Sequence, residues 1–185
     1  MGYLFDPVRL HAAARRAAGL PHQEMVRTLI DELAVAYPGH IATDEQWVMS
    51  FVGGATGMMT VLHCSLTEYI LIFGTPIGSG GFSGRYRLDI HDYLLAGEMW
   101  TFAEAACAER VVSRPGDAAL LRRGESKGYR AAEGTWMLEY ARGPVVTCLP
   151  QALTDSIVRL DGMTIWKTLS ISTRLMFRSL RRGKV

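Results

Sequence analysis

The first part of the chain repeats apolar residues with the period of an α-helix. Asp6 followed by Pro7 is typical of a helix N-cap with proline in the first turn, and an alanine-rich run comes after them. After Pro21, apolar residues recur at helical spacing until Tyr37-Pro38-Gly39 interrupts the pattern. Residues 1–38 are therefore predicted to form two N-terminal helices.

The pattern changes to short apolar runs in residues 46–148. These runs are rich in Val, Ile, Tyr, Phe and Thr, and glycine-containing segments such as VGGATG and FGTPIGSGGFSG separate them. Many short strands joined by glycine turns are typical of a compact β unit, either a barrel or a sandwich. The sequence therefore predicts a mainly β protein with flanking helices.

Residues 149–185 return to helical spacing. Apolar residues that can share one face of a helix are Ile165, Trp166, Leu169, Met176 and Leu180. The chain then ends in the basic sequence RSLRRGKV. Such a segment can lie on a membrane surface, with its basic residues against anionic headgroups, or it can pack on the β unit with a solvated end. The pattern alone favours neither arrangement.

The totals of the sequence exclude several classes of protein. With 185 residues the chain is predicted to be one domain, and 49% hydrophobic and 21% charged residues are typical of a globular protein. A net charge of +2 without a basic stripe gives no support to nucleic-acid binding. The sequence has no signal peptide, no membrane-spanning run and no disulfide framework. We expect a cytoplasmic protein that is neither secreted nor transmembrane.

Known motifs for a metal or a nucleotide do not occur. The five histidines show neither HxH nor HExxH spacing. The chain also lacks GxSxG, a Walker-type glycine loop and a dinucleotide-binding glycine motif at the start of a helix. No metal and no cofactor are therefore expected.

Acidic residues interrupt several of the apolar, strand-like runs. In TWMLEYARG, strand alternation puts Glu139 on the same face as Met137. Glu68 and Asp92 lie within similar runs. A carboxylate in an apolar interior must be protonated, paired or hydrogen-bonded, and two facing acids divide into one that keeps a proton and one that stays charged. Such acids are suited to acid–base chemistry, unless each points to solvent from a one-sided strand.

The acidic residues lie in three longer sequence segments whose order along the chain is typical of one family. The segment GHIATDEQWVMSFVGGATGMMTVLHCSLTEYILIFGT is followed by SGRYRLDIHDYLLAGE, and then by GTWMLEYARG with LPQALTDSI. Together they resemble the family shared by fungal delta-8, delta-7 sterol isomerases and the mammalian sigma receptor, over nearly the whole chain. The resemblance implies a cupin-like β-barrel without a metal, capped by N-terminal and C-terminal helices and assembled as a homotrimer.

The resemblance also implies roles for individual residues. Glu139 matches the pocket glutamate of the family, Asp92 matches its second pocket acid, and Tyr69 matches the tyrosine that hydrogen-bonds the glutamate. Glu139 and Asp92 are therefore the expected catalytic residues. The expected substrate-binding residues are Tyr69, His63, Glu68, Thr75, Met59, Leu71, Phe73, Ile90, Trp136, Leu149 and Ala152.

The family further implies what the protein contacts and does. Its members begin with a transmembrane helix, whereas this sequence begins close to YLFDP, so peripheral membrane contact is expected from the C-terminal helices. The expected function is an isomerase that shifts a carbon–carbon double bond in a sterol or related polycyclic terpenoid through a carbocation. Two alternatives stay open: a terpenoid cyclase or isomerase of secondary metabolism, and a non-catalytic binding protein for cationic amphiphilic amines.

Overall fold

The computed structural model describes residues 2–184. Within them, two N-terminal helices are followed by ten strands and two C-terminal helices. The helices are α1 (Pro7–Ala17), α2 (His22–Ala36), α3 (Leu149–Val158) and α4 (Gly162–Arg181), with a 3₁₀ helix, Val145–Cys148, before α3. The strands are β1 (Trp47–Val52), β2 (Ala55–Cys64), β3 (Glu68–Thr75), β4 (Ser79–Phe82), β5 (Asp89–Ala96), β6 (Met99–Ala103), β7 (Ala106–Ser113), β8 (Ala118–Leu121), β9 (Lys127–Ala131) and β10 (Thr135–Arg142).

Local sequence signals explain where α1 begins and ends. The Asp6 carboxylate accepts a 2.9 Å hydrogen bond from the backbone N–H of Val8, and Pro7 fits the first turn because that position needs no N–H donor. The helix ends before Gly19, whose φ of +79° suits a residue without a side chain. The apolar faces of α1 and α2 then pack together against one face of the larger sheet.

The larger sheet has six antiparallel strands in the order β1-β2-β3-β10-β5-β8. Successive side chains of a strand point to opposite faces. On β10, Leu138 and Tyr140 lie in the core beneath the N-terminal helices, whereas Met137 and Glu139 border an internal cavity. The sheet therefore has the main core on one face and the cavity on the other.

The smaller sheet has four antiparallel strands in the order β4-β9-β6-β7 and contributes Met99, Lys127 and Tyr129 to the cavity wall. The predicted mainly β fold with flanking helices is confirmed, but the barrel is not closed: within residues 2–184 the strands form two separate sheets. Where the two sheets approach, the N–H of Phe82 donates to the carbonyl of Gly53 at 2.8 Å. β4 has only the four residues SGGF, which is too short to pair with both neighbours along a full ladder.

The C-terminal helices cover the open side of the cavity. Asp161 caps α4 by accepting a 3.0 Å hydrogen bond from the N–H of Thr164, and Leu160 makes the turn before it with a φ of +57°. The residues of α4 that face inward are Thr164, Thr168, Ile171, Leu175 and Ser179. In the part of the chain that the structure describes, no helix is long and apolar enough to cross a membrane.

Candidate active site

The cavity lies between the two sheets and the C-terminal helices. Its volume, measured as the space that the centres of water molecules can occupy, is about 180 Å³. This is room for on the order of ten waters or for part of an organic ligand. Most of its wall is apolar and comes from both sheets and the C-terminal helices, and the acids Asp92 and Glu139 interrupt it. The cavity is therefore suited to an apolar guest that meets a small number of polar groups.

The two acids face each other across adjacent strands. Asp92 on β5 and Glu139 on β10 are direct partners in the antiparallel register, and such partners have Cβ atoms roughly 5 Å apart. Asp92 is 6% exposed. Glu139 keeps some accessible surface because its side chain borders the cavity. Both carboxyl groups can thus reach the same guest.

Each acid has a different partner. The hydroxyl of Tyr69 donates to Oε1 of Glu139 at 2.6 Å. Asp92 instead forms an ion pair with Lys127, whose Nζ lies 2.5 Å from Oδ2 and whose side chain is 14% exposed. The pair of acids is consequently asymmetric: a neutral donor holds Glu139, and a cation holds Asp92.

Burial raises the pKa of Glu139 from its ordinary 4.5 to about 7. The negative charge of Asp92 acts in the same direction, while the hydrogen bond from Tyr69 and the charge of Lys127 act against it. A carboxyl group with a pKa near 7 can both donate and accept a proton at neutral pH. Glu139 therefore has the titration behaviour of a general acid or base.

Neutral polar groups complete the surroundings of the acids. Burial raises the pKa of Tyr69, Tyr86 and Tyr129 well above their ordinary value, and it raises the pKa of the Cys148 thiol to about 11. The phenols are therefore uncharged near neutral pH and can act as hydrogen-bond donors. Within residues 2–184, no three His, Cys, Asp or Glu side chains are grouped so that they could hold a metal ion.

The structure brings together nine of the residues singled out from the sequence. Those that line the cavity are Glu139, Asp92, Tyr69, Met59, Leu71, Phe73, Ile90, Leu149 and Ala152. Four others, His63, Glu68, Thr75 and Trp136, are not among the cavity-lining residues. Each of these four has a local structural reason for its position.

A register shift places His63 on the far side of the sheet. The pairing of β2 with β3 is irregular between Val61 and His63, so strand alternation breaks there. Val61 and Cys64 line the cavity, whereas Leu62 lies in the core beneath the helices and His63 packs against that core. Nδ1 of His63 lies 2.8 Å from the carbonyl oxygen of His40, and burial lowers the pKa of His63 to about 4. In this position it cannot touch a guest in the cavity.

Glu68 is fully buried beneath the N-terminal segment. Its carboxylate accepts hydrogen bonds from the backbone N–H of Leu4 at 2.8 Å, from the N–H of Phe5 at 3.1 Å and from the hydroxyl of Tyr140 at 2.7 Å. Nζ of Lys184 lies 2.6 Å from the same carboxylate. The side chain therefore ties both ends of the chain to β3, which is a structural role.

Thr75 and Trp136 lie near the far ends of their strands. The indole of Trp136 packs on His22 of α2, with ring centroids 4.1 Å apart, and on Trp47 of β1 at 5.5 Å. Thr75 is buried at the end of β3, where it is paired with Thr135 of β10. Both residues are held by protein contacts outside the cavity.

Several cavity residues gave no sequence signal. Lys127 lies in the polar segment GESKGYR, and neither its own type nor its neighbours suggest burial. Tyr129, two residues further along β9, shares its face, and Tyr86 comes from the loop before β5. The period-two relation of Lys127 and Tyr129 was the available clue, but only the fold shows which face of β9 is inside.

Comparison with known proteins identifies the family. The model described as "ERG2 and Sigma1 receptor like protein" matches residues 1–184. The chain belongs to this family. The sigma non-opioid intracellular receptor 1 of Gallus gallus is 40% identical over 175 residues, covering 93% of this chain and 78% of that protein. The C-8 sterol isomerase ERG2 of Gibberella zeae is 36% identical over 187 residues, covering 99% and 79%.

Solved structures are similar at a lower level. An RmlC-like cupin from Shewanella frigidimarina has a TM-score of 0.46 and 16% identity, covering 56% of this chain and 90% of that one. KdgF from Halomonas has a TM-score of 0.46 and 17% identity, covering 56% and 93%. It is the family, rather than these structures, that bears on function.

Proposed function

We propose that this family member is an isomerase that shifts a carbon–carbon double bond in a sterol or a related polycyclic terpenoid. The observation that carries the proposal is the pair of facing acids, Glu139 and Asp92, in the wall of an apolar cavity. Relatives in Gibberella zeae and Aspergillus fumigatus are C-8 sterol isomerases. Apolar walls fit such a substrate, and facing acids fit its rearrangement.

The reaction needs only the transfer of protons. One acid of the pair gives its proton to an alkene carbon: the O–H bond breaks, the π electrons form a new C–H bond, and the other alkene carbon becomes a tertiary carbocation. A C–H bond next to the cation then breaks, and its electrons form the shifted double bond. A carboxylate takes up the released proton, so the pair returns to its starting state without any oxidant or reductant.

The cavity wall would protect and stabilise the cation. Apolar side chains such as Leu71 and Ile90 exclude water, which would otherwise add to the carbocation. The rings of Phe73, Tyr86 and Tyr129 also line the cavity, and aromatic faces attract cations. A carboxylate fixed in this setting of low dielectric stabilises positive charge better than water does.

Glu139→Gln tests the proposal because it removes the titrating group and keeps the size of the side chain. We expect turnover to fall at least about 100-fold, which is the lower end of what a positioned acid contributes. Glu133→Gln, at an exposed turn, is the matched control. Sterol and smaller terpenoid alkenes are incubated in heavy water, where deuterium should enter the product beside the shifted double bond. Full turnover by the Glu139→Gln variant would contradict the proposal.

A second candidate is a non-catalytic binding protein for cationic amphiphilic amines. The observation in its favour is an ionisable carboxyl group within an apolar, aromatic-walled cavity, together with 40% identity to a protein named as a receptor. Tight amine binding that Glu139→Gln abolishes, without turnover of any alkene, would favour this candidate. Conversion of an alkene would favour the isomerase or a terpenoid cyclase, according to the product.

We also propose that α3 and α4 contact a membrane surface. Leu160 is 91% exposed and Trp166 is 70% exposed, and Met163 and Phe177 are largely exposed as well. Exposed basic residues of the same segment are Arg159, Lys167, Arg174, Arg178 and Arg181. Exposed apolar side chains beside basic ones suit a surface of anionic lipid.

Vesicle sedimentation tests this contact. We expect the protein to bind vesicles that contain anionic lipid and to bind purely zwitterionic vesicles more weakly. Leu160→Glu with Trp166→Glu should release it, whereas Ile77→Glu, which changes an exposed apolar residue before β4, should not. Equal binding by both variants would refute the contact.

We further propose that the chain assembles as a homotrimer through β6 and β7. β7 is an edge strand of the smaller sheet, and the exposed residues of the hairpin include Phe102 and Val111. An unpaired strand edge with apolar side chains is suited to association with another copy. Light scattering should give three times the 20.4 kDa of one chain, and Val111→Lys should reduce that mass. A single-chain mass for the unchanged protein would contradict the proposal.

A further inference from the structure

The cavity contains one fixed cation as well as two acids. Among the residues that the structure describes, Lys127 is the only lysine, arginine or histidine in the cavity wall. Its Nζ lies 2.5 Å from Oδ2 of Asp92, and both side chains are largely buried. No hydrogen bond or ion pair within residues 2–184 joins Lys127 to Glu139, which accepts from Tyr69 instead. The fold therefore directs the cation to one acid of the pair.

This placement decides how a shared proton divides between the acids. Two carboxylates on directly opposed positions of neighbouring strands repel each other, so one of them tends to hold a proton near neutral pH. Asp92 is stabilised as a carboxylate by the ammonium group beside it. Within residues 2–184 the hydrogen-bond partner of Glu139 is a phenol, and a phenol can donate to a neutral carbonyl oxygen as well as to a carboxylate.

We propose that Lys127 is a positioning residue: by pairing with Asp92 it holds that acid as the carboxylate, so that the one proton of the pair lies on Glu139 and Glu139 is the acid that protonates the alkene. This inference rests on the isomerase proposed above and deepens it. The proton leaves the Glu139 carboxyl for the alkene carbon, the π electrons form the C–H bond, and Glu139 becomes the carboxylate opposite the carbocation. The proton released in the second step restores the acid.

The other groups around Glu139 are consistent with this division. They come from β3, the loop before β5, β5, β9 and the 3₁₀ helix, and they are Tyr69, Tyr86, Asp92, Lys127, Tyr129 and Cys148. The phenols and the thiol are uncharged near neutral pH because burial raises each pKa. Asp92 and Lys127 are thus the only charged groups of this set, and they neutralise each other.

The arrangement suits a neutral substrate. With Glu139 protonated and the Asp92–Lys127 pair closed, the site carries no net charge, which matches an uncharged alkene. After proton transfer the carbocation and the Glu139 carboxylate again sum to zero, so no charge is left uncompensated in the cavity at either stage. A cationic guest, in contrast, gains a partner only once Glu139 loses its proton.

Lys127→Met tests the inference through the pH dependence of isomerisation. Without the ammonium group both carboxyl groups compete for one proton, so Glu139 becomes a weaker acid. We expect the rate at low pH to fall about 10-fold, and the fall of activity with rising pH to move up by about one pH unit. Lys127→Arg should restore both, and Arg9→Met, which removes an exposed cation on α1 away from the cavity, is the control. An unchanged pH profile for Lys127→Met would overturn the inference.

A carboxyl-carbon NMR titration decides the inference without turnover. The Glu139 signal, assigned by its loss in Glu139→Gln, should titrate near neutral pH in the unchanged protein and at higher pH in Lys127→Met. In the unchanged protein the Asp92 signal should stay at the position of a carboxylate over the same range, whereas in Lys127→Met both signals should move together because the two acids share the proton. Titration of Asp92 in place of Glu139 would overturn the inference, even in an active enzyme. If the NMR result is as expected but no alkene is converted, the isomerase proposal fails while the division of charge stands.

Discussion

Replacing Glu139 by glutamine should make the protein more stable at high pH, although the same change is expected to lower turnover strongly. Burial raises the pKa of Glu139 from 4.5 in an exposed chain to about 7 in the folded one. Between these two values the folded state binds more protons than the unfolded state. Stability therefore falls as pH rises through this range, because the carboxyl group must ionise in the cavity.

The size of the effect follows from the two pKa values. A difference from 4.5 to about 7 corresponds to about 3 kcal/mol of unfolding free energy once both states are ionised. Glutamine stays neutral at every pH and avoids this cost, and its carbonyl can still accept the hydrogen bond from Tyr69. The stability of the variant relative to the unchanged protein should thus increase by about 3 kcal/mol between about pH 4 and pH 8.

Urea unfolding over this pH range measures the difference. The quantity to follow is the change in the stability difference with pH, because a constant packing effect of glutamine cancels from it. Glu133→Gln, at an exposed turn, should give a difference that stays flat. A flat or decreasing difference for Glu139→Gln would show that the carboxyl group does not ionise against a desolvation cost. The proposed acid–base role would then lose its physical basis.

Three further changes have expected outcomes. Tyr69→Phe removes the hydrogen-bond donor to Glu139, so it should raise the pKa of that acid and lower turnover about 10-fold. The pH–rate profile measures both effects, and an unchanged profile would contradict this prediction. Glu68→Gln weakens the buried contacts that hold both chain ends and should lower the unfolding free energy, measured by urea unfolding, by about 3 kcal/mol. A loss below about 1 kcal/mol would contradict the anchoring role. Gly74→Ala would drive a methyl group into the indole of Trp136 and should lower Tm by roughly 5 °C, so an unchanged Tm would show that the ring can move aside.

The sequence predicted the parts of the fold that depend on neighbouring residues. The Asp6-Pro7 signal marks the start of α1, and alternation on β10 separates Met137 and Glu139 from the core. These features are local because a cap or a strand face is set within a few residues. The sequence could not show that the two sheets stay unclosed, because closure depends on how far a strand such as β4 extends beside its neighbours, which its own pattern does not fix.

The candidate site was less accessible to sequence reasoning. His63 follows the alternation of β2 until an irregularity in the pairing with β3 moves it to the other face, and the sequence carries no mark of that irregularity. Lys127 is 35 residues from Asp92 along the chain, and only the fold brings the two together. The hydrophobic pattern of the sequence therefore could not predict contacts between distant residues or shifts of strand register by one residue.

The charge state of one carboxyl group decides which kind of guest suits the cavity. With a pKa of about 7, Glu139 is present near neutral pH both as the acid and as the carboxylate. The acid form suits a neutral alkene, and the carboxylate form suits a cationic amine, in the same cavity and with the same walls. A change at Lys127 or Tyr69 would shift the balance between these forms without altering the fold. If the proposed function holds, the groups that hold this proton therefore decide whether the cavity suits a neutral or a cationic guest.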